Sequence, residues 1–197
     1  MPHSRLPRAE RRLQLIGAAA TAFLESGYDN TSMEDVARRA GVSRLIVYRI
    51  FESKADLYSS VLQTVLSDLG RQFEGLPPAE VHERGAVSII LPVARRHPDA
   101  FRLLWRHSAG QPDFAWYGDT FRRYSVFYAR EILAQFVMDE VILQWASLSA
   151  GSQLIDGICL WLDIGAPERD AVFEAMITAG LRGQAGAWAT TSNRLLG

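Results

Sequence analysis

Residues 31–54 read TSMEDVARRAGVSRLIVYRIFESK and predict two short helices, a tight turn and the beginning of a third helix. Thr31 and Ser32 are both helix-capping residue types, and each is followed three positions later by an acidic residue. Gly41 supplies the positive φ that a short turn between two helices requires. Ser43 is then placed to cap the second helix. The pattern is that of a helix-turn-helix.

The second of these helices has one face for a core and one for solvent. Val47, Ile50 and Phe51 recur at helical spacing and can share a core with the preceding helix. The outward side chains are Arg44, Leu45, Tyr48 and Arg49. A basic and aromatic surface on a short helix suits the major groove of DNA.

The third helix begins where a phosphate could bind. Ser53 and Asp56 repeat the capping-box spacing. The N-terminal end of this helix is expected to present backbone N–H groups, the positive end of the helix dipole and the ammonium of Lys54. Lys54 is the single lysine of the chain.

An ordered set of residues within 13–62 resembles the TetR (tetracycline repressor) family of bacterial transcriptional regulators. The resemblance is carried by Phe23, Gly27-Tyr28, Thr31-Ser32, Val36-Ala37, Ala40-Gly41-Val42-Ser43, Val47-Tyr48, Phe51 and Ser53-Lys54. It covers the first quarter of the chain, and beyond Leu62 it rests on length and helical rhythm. It implies an all-α fold, with an N-terminal three-helix helix-turn-helix DNA-binding domain and a larger C-terminal helical domain for ligand binding and dimerisation.

The resemblance also implies a set of DNA contacts. Ser43, Tyr48 and Lys54 would hold phosphates, and Arg44 could reach a guanine edge or a phosphate. The complete predicted DNA-binding set is Thr31, Ser32, Ser43, Arg44, Leu45, Ile46, Tyr48, Arg49 and Lys54.

The sequence departs from the family pattern on the predicted DNA-facing helix. Leu45 and Ile46 stand where the family often has Gly and Thr, and Ile50 stands where it often has an aromatic residue or His. The surface is therefore unusually apolar. Contact with thymine methyl groups is one outcome, and weaker DNA binding is the other.

Length and charge favour two domains. A chain of 197 residues exceeds the usual size of one domain. The predicted division is a helix-turn-helix DNA-binding domain in residues 1–54, with the helix 54–74 as a connector, and a ligand-binding and dimerisation domain in residues 55–197. Residues 1–54 hold nine Arg and Lys against six Asp and Glu, whereas residues 55–197 hold twelve against sixteen. The excess of basic residues thus lies with the predicted DNA-binding domain. Residues 1–9 are polar and either lie along DNA phosphates or are disordered.

Periodicity predicts helices throughout the chain. The first supports the helix-turn-helix, and a loop at 27–30 follows it. The helix beginning at Lys54 is expected to end near Phe73. The remaining predicted helices are 78–97 with a kink or break at Pro92, Pro98 to about Gly110, 113–138, 139–163, and a last helix that begins at Pro167.

Aromatic residues are frequent in the second predicted domain. Tyr117, Phe121, Tyr124 and Tyr128 form a stripe at helical spacing. Such a stripe is either part of a packing core or the lining of a pocket for a bulky apolar or aromatic ligand. The predicted ligand-binding residues are Phe101, Trp105, His107, Trp116, Tyr117, Phe121, Tyr124, Tyr128, Trp145 and Asp156.

The last two long helices are apolar on two sides, so each must bury both. Gly180, Gly183 and Gly186 recur at steps of three in the last helix. Each costs roughly 1 kcal/mol against Ala in a helix interior, so we expect another helix to approach closely there, or the helix to fray. The resemblance implies that these helices pair with their copies as the four-helix core of a homodimer. The predicted interface residues are Leu148, Ser152, Ile155, Cys159, Ile177, Gly180, Gly183 and Trp188.

Cysteine usage and hydropathy indicate the compartment. The one cysteine, Cys159, cannot form a disulfide within the chain, which fits a reducing cytoplasm. Residues 15–24 form an apolar run, but their larger side chains recur at helical spacing, which favours an amphipathic helix over a secretory signal. No apolar stretch reaches about 18 residues, which argues against a membrane span.

The sequence contains no Gly-x-Ser-x-Gly elbow, no His-Glu-x-x-His, no Walker loop and no paired Cys motif, and the four histidines are scattered. We therefore expect no enzymatic activity, no cofactor and no metal. An all-helical enzyme would reveal itself by a titratable pair such as His107 with Asp156. The leading hypothesis is a ligand-responsive repressor that binds a palindromic DNA operator as a homodimer and is released by a small, apolar or aromatic effector. The alternative is a dimeric small-molecule-binding protein that has lost operator binding.

Overall fold

A computed structural model describes residues 6–196, with the side chains of 193, 195 and 196 excepted. Over these residues the chain is all-α, as predicted, and has no β-strand. The ten α-helices in this range are α1 (Arg8–Asn30), α2 (Met33–Arg39), α3 (Arg44–Ile50), α4 (Lys54–Phe73), α5 (Pro78–Arg84), α6 (Ala86–Arg96), α7 (Pro98–Arg102), α8 (Ala115–Leu133), α9 (Glu140–Ile164) and α10 (Asp170–Leu196).

Short segments of other helix types join some of these elements. A π-helical turn, Leu103–His107, continues α7, and 3₁₀ turns cover Ser108–Gly110, Pro112–Phe114 and Pro167–Arg169. Within α1, Gly27 is non-helical, with φ 81° and ψ 161°. Glycine tolerates this conformation because it has no Cβ. The predicted loop at 27–30 is therefore a break within α1 followed by a last short turn.

The chain divides into two compact units. The first contains the described residues up to Ser67 together with His97–Tyr117, and the second contains Asp68–Arg96 and the described residues from Gly118 onward. Residues 97–117 thus belong to the same unit as the helix-turn-helix and contact α1 and α4, although they follow the helix-turn-helix by more than 40 positions in the chain. The predicted roles of residues 1–54 and 55–197 stay predictions.

The first unit has an aromatic cluster at its centre. The ring of Tyr58 on α4 lies edge-on to Phe23 of α1 at 4.9 Å and to Phe114 at 4.8 Å between centroids. Tyr28 contacts both Tyr58 and Phe114, at 5.0 and 5.2 Å. On the same unit, the hydroxyl of Thr21 in α1 donates to Asp99 of α7 at 2.7 Å. The aromatic side chains therefore hold α1, α4 and the segment before α8 together.

The second unit is built mainly by α6, α9 and α10. Asp170, at the start of α10, accepts hydrogen bonds from Nε and Nη2 of Arg95, the shortest at 3.0 and 2.6 Å, and one from the indole of Trp161 at 2.7 Å. These bonds, that from Arg95 above all, hold the pKa of Asp170 below its usual value. The ring of Trp161 also stacks on Phe173 at 4.8 Å. Arg95 and Trp161 thereby fix the start of α10.

The sequence predicts a kink or break at Pro92, and a break there is wrong. Pro92 lies inside the continuous helix α6, and the chain turns at Gly85, whose φ is 80°. A Cβ at this glycine would lie 2.8 Å from the Thr178 hydroxyl oxygen. Gly85 is therefore required both for its backbone conformation and for the close approach of α10.

The helix predicted to reach Met138 ends at Leu133. The amides of Phe136 and Val137 both donate to the carbonyl of Leu133, at 2.9 and 3.0 Å. Val137 is buried in a small cluster with Leu133, Leu143 and Ala146. The helix ends here because the turn carries Val137 back into that cluster. Asp139 then caps α9 by accepting from the amide of Ile142 at 2.9 Å.

Among residues 6–196, no helix combines the length and apolar character that crossing a membrane requires.

Candidate nucleic-acid interface

The start of α2 is fixed by a complete capping box, as the sequence predicts. The hydroxyl of Ser32 accepts from the amide of Asp35 at 3.1 Å, and the Asp35 carboxylate accepts from the amide of Ser32 at 3.0 Å. The hydroxyl of Ser32 also donates to this carboxylate, at 2.6 Å. Hydrogen bonds from Ser32 are the main reason that the pKa of Asp35 is lowered. Arg38 pairs with the same carboxylate.

Thr31, the residue before Ser32, is buried. It is 3 % exposed, and its hydroxyl lies 2.7 Å from the carbonyl of Gly27 and 3.2 Å from that of Ala22. Its side chain therefore fastens α2 to the end of α1. The predicted contact of Thr31 with DNA does not fit this burial, whereas Ser32 lies at the surface.

The turn before α3 is the one that the sequence predicts. Gly41 has φ 66°, and Ser43 occupies the N-cap position of α3 with φ −75° and ψ 149°. The predicted side-chain cap of α3 is wrong, since the Ser43 hydroxyl forms no capping hydrogen bond. On the inner side of α3, Val47 is fully buried and Phe51 is 1 % exposed. These two residues fix which face of α3 points outward.

The outer face of α3 consists of Arg44, Leu45, Tyr48 and Arg49, and all four are exposed. Leu45 is 63 % exposed and Tyr48 44 %. The guanidinium of Arg44 lies over the ring of Tyr48, 5.1 Å from its centroid, and Nη2 lies 3.4 Å from the tyrosine hydroxyl oxygen. The sequence predicted this set of outward residues correctly. Ile46 and Ile50 are half-buried beside it.

Lys54 lies at the start of α4, but its ammonium already has partners in the chain. It donates to the carbonyls of Tyr28 at 2.8 Å and Asp29 at 3.3 Å, and it lies 4.4 Å from the centroid of the Tyr28 ring. These carbonyls belong to the last turn of α1, where helices leave acceptors unpaired. The predicted phosphate contact stays a prediction, made by a half-buried group that also joins α1 to α4.

The first turn of α4 carries the capping hydrogen bond that the sequence predicts. The amide of Asp56 donates to the Ser53 hydroxyl at 3.0 Å. The carboxylate of Asp56 accepts from the amide of Glu52 at 2.9 Å, one residue before the position expected for a capping box.

The same segment matches known proteins. The family model for "Bacterial regulatory proteins, tetR family" matches residues 15–61, which contain α2, α3 and most of α1. Residues 15–61 therefore match the TetR family. It is 47 % identical over 66 residues to the HTH-type transcriptional activator FasR of Mycolicibacterium smegmatis, covering 34 % of this chain and 30 % of FasR.

A second relative is similar over the N-terminal half of the chain, and a solved structure is similar in fold. The HTH-type transcriptional repressor KstR2 of Rhodococcus jostii is 27 % identical over 93 residues, which is 47 % of this chain and 46 % of KstR2. A TetR-like transcriptional regulator from Rhodococcus sp. RHA1 has the same fold, with TM-score 0.65 and 24 % identity over 91 % of this chain and all of the other. The chain spans less than half the length of the two curated relatives.

The residues predicted to bind a TetR-family effector are divided between the two units. In the first unit Phe101, Trp105 and Tyr117 are buried, and the exposed Trp116 stacks on Tyr117 at 3.8 Å. His107 is exposed. In the second unit Phe121 is buried. Tyr128 is half-buried, where its hydroxyl donates to the carbonyl of Leu76 at 3.2 Å and its ring lies 4.9 Å from Phe73.

The other three predicted effector residues lie on the surface of the second unit. Tyr124 is 61 % exposed, Trp145 is 53 % exposed and Asp156 is exposed. The ring of Trp145 packs edge-on against Trp188, one of the predicted dimer residues, at 5.0 Å. The effector contacts of Tyr124, Trp145 and Asp156 remain predictions that this exposure does not favour.

The predicted dimer interface needs a correction on α9. Ile155 and Cys159 are fully buried within the chain, so neither belongs to the outer face of this helix. Leu148 and Ser152 do lie at the surface. The residues that sequence analysis omitted from the exposed apolar face of α9 are Val141, Trp145, Leu160 and Ile164. A helix apolar on two sides does not reveal which side its own chain covers.

On α10 the predicted interface residues are closer to the surface. Gly180 and Gly183 are exposed, and a Cβ at either would meet no atom within 4 Å. Ile177 and Trp188 are half-buried. Val172 and Met176, which were not predicted, are 58 % and 69 % exposed. Their helical spacing with Gly180 and Gly183 gives α10 a continuous apolar outer face.

Proposed function

We propose that this protein is a ligand-responsive transcriptional repressor of the TetR family. It binds a palindromic double-stranded DNA operator as a homodimer, and a small apolar or aromatic effector releases it. The observation that carries the proposal is the outer face of α3, where two arginines and a tyrosine are exposed on a helix whose opposite side is buried. We place its action in the cytoplasm.

The chemistry of α3 suits the major groove of DNA. Arginine pairs in a bidentate manner with guanine, and recognition helices contact base edges through their N-terminal residues. Arg44 is the first residue of α3, and Tyr48 lies one turn later, where it supports the guanidinium. The free hydroxyl of Ser43 and the guanidinium of Arg49 are suited to phosphates on either side.

A homodimer would cover the exposed apolar faces of α9 and α10. Leu148, Val172 and Met176 are at least half-exposed, which is unusual for large apolar side chains that recur on neighbouring helices. The open space above Gly180 and Gly183 admits a second helix at close range. A two-fold axis through these faces would present two copies of α3 to successive major grooves, about 34–36 Å apart if the half-sites are one turn apart.

The direction of regulation and the effector belong to the proposal as well. Of the two relatives described above, one is named an activator and the other a repressor. Repression with release by a ligand is the proposed mode for this chain. The aromatic residues Phe101, Trp105 and Tyr117 supply an apolar interior in the first unit that suits a hydrophobic effector.

Fluorescence anisotropy tests the DNA-binding proposal. Labelled DNA from the region flanking the gene is titrated with the protein at several salt concentrations. We expect sequence-selective binding whose affinity falls steeply with salt, as phosphate contacts require. Arg44→Ala should weaken binding to the selected sequence by about 5- to 150-fold and relax its selectivity.

The matched control is Arg123→Ala, which removes the same charge from an exposed position on α8 whose guanidinium contacts Thr120. This variant should bind like the wild type. If the wild type selects no sequence but binds small apolar compounds, the alternative of a dimeric small-molecule-binding protein replaces the proposal.

A further inference from the structure

Leu45 is the most exposed large apolar side chain on the helix-turn-helix. It is 63 % exposed, lies between the exposed Arg44 and the half-buried Ile46, and is followed one turn later by Tyr48 and Arg49. Its position is two residues before the fully buried Val47, about 200° around the helix. Leu45 therefore projects directly away from the core of the first unit.

This geometry means that α3 cannot bury Leu45 by turning within the first unit. Rotating α3 to cover it would expose Val47 and Phe51, which are 0 % and 1 % exposed. Burying a leucine side chain is favourable, and a binding partner that covers Leu45 would realise this gain. On the proposed function, that partner is the major groove of DNA.

The major groove offers one apolar group among its base edges. Guanine, cytosine and adenine present hydrogen-bond donors and acceptors there, whereas thymine adds a C5 methyl group. Leu45 has no hydrogen-bonding atom in its side chain, so it cannot distinguish bases by donors and acceptors. A methyl group is the complementary partner for it.

We infer that Leu45 determines operator specificity by contacting the methyl group of a thymine in each half-site. This inference rests on the proposed function and assigns the base type at one position. The neighbouring Arg44, held over the Tyr48 ring at 5.1 Å, contacts the adjacent part of the half-site. The outer face of α3 thus combines a polar contact from Arg44 with an apolar contact from Leu45.

The test removes single methyl groups from the DNA. A bound sequence is first selected from a pool of randomised duplexes, and each thymine in it is then replaced by uracil, which lacks only the C5 methyl. Burying a methyl-sized group contributes about fourfold in affinity. Uracil at one particular thymine should weaken wild-type binding about fourfold in one half-site and about 16-fold in both.

Variants of the protein test whether the loss of affinity with uracil comes from Leu45. Leu45→Ala should make the same uracil substitution neutral, while Leu45→Met should keep the sensitivity. The control is Leu13→Ala, which truncates another leucine that is 61 % exposed in the first unit but lies on α1. It should retain the full wild-type response to uracil. Circular dichroism of each variant confirms folding, since both leucines are at the surface.

The possible outcomes test the proposed function and the role of Leu45 separately. If the wild type selects no sequence from the pool, the proposed function fails and this inference with it. If the wild type binds selectively but tolerates uracil at every thymine, or if Leu45→Ala is as sensitive as the wild type, only the assignment of Leu45 is overturned.

Discussion

Replacing Lys54 by methionine should destabilise the protein, because this lysine fastens α4 to the end of α1. Its ammonium donates to Tyr28 and Asp29 at 2.8 and 3.3 Å and lies over the Tyr28 ring at 4.4 Å. A hydrogen bond from a charged group contributes about 1.5–3 kcal/mol, and a cation–π contact about 0.5–1 kcal/mol at an exposed site. Solvent reaches the half-buried ammonium, so we take the lower values and expect a loss of about 2 kcal/mol.

Urea denaturation followed by circular dichroism measures this loss. With a urea dependence of about 2 kcal/mol per molar, the unfolding midpoint should fall by about 1 M. The control is Arg38→Met, which also removes one positive charge from the first unit. The side chain of Arg38 is 75 % exposed and pairs with Asp35 within one helix, so its loss should cost no more than about 0.5 kcal/mol. A Lys54→Met midpoint equal to that of the wild type, with DNA affinity reduced, would show that Lys54 serves only as a phosphate contact.

Two further predictions concern each unit separately. Burial raises the pKa of Tyr58 to about 12, so the folded protein keeps this phenol neutral where the unfolded chain ionises it near pH 10. This stabilisation by the neutral phenol is fully present below pH 10 and is lost as the pH rises through 12. Over this range the unfolding free energy of the wild type should fall by about 2–3 kcal/mol more than that of Tyr58→Phe. Parallel curves of unfolding free energy against pH would refute the assignment. In the second unit, Met176→Glu places a charge on the proposed dimer face, where Met176 is 69 % exposed. Light scattering should report a mass near 22.0 kDa for this variant and twice that for the wild type. The control, Met138→Glu, changes a residue that is 81 % exposed in the loop before α9 and should keep the dimer mass. A wild-type monomer would contradict the proposed homodimer.

The helix boundaries that the sequence predicted well are those set by local chemistry. Ser32 and Ser53 act through capping hydrogen bonds, and Gly41 through its backbone torsion angle, all within about four residues. Their effect can therefore be predicted from the sequence. Pro92 signals a local disturbance of a helix, but α6 continues through it. At Gly85, where the chain turns, the close approach of Thr178 comes from more than 90 residues away in the chain and leaves no local signal.

At the candidate site, too, the sequence predicts the local features and misses those that depend on distant residues. The outer face of α3 follows from periodicity, since Val47 and Phe51 mark its buried side. Thr31 is buried and Lys54 is bound because both donate to carbonyls at the end of α1. The sequence pattern around each residue does not predict these contacts. On α9, Ile155 and Leu148 are equally apolar, and only the packing of α6 and α10 decides that Ile155 lies inside.

The ring of Phe114 has a consequence for dividing the protein into fragments. It completes the aromatic cluster around Tyr58, although Phe114 lies 41 residues after the end of α4. A fragment cut after α4 would lack this ring and the Asp99 acceptor of Thr21. Its Tyr58 would lose one of three aromatic neighbours, and α1 would lose its contacts with α7. The unit that carries the proposed DNA-binding face is therefore discontinuous in the sequence, and a fragment that preserves it must include residues 97–117.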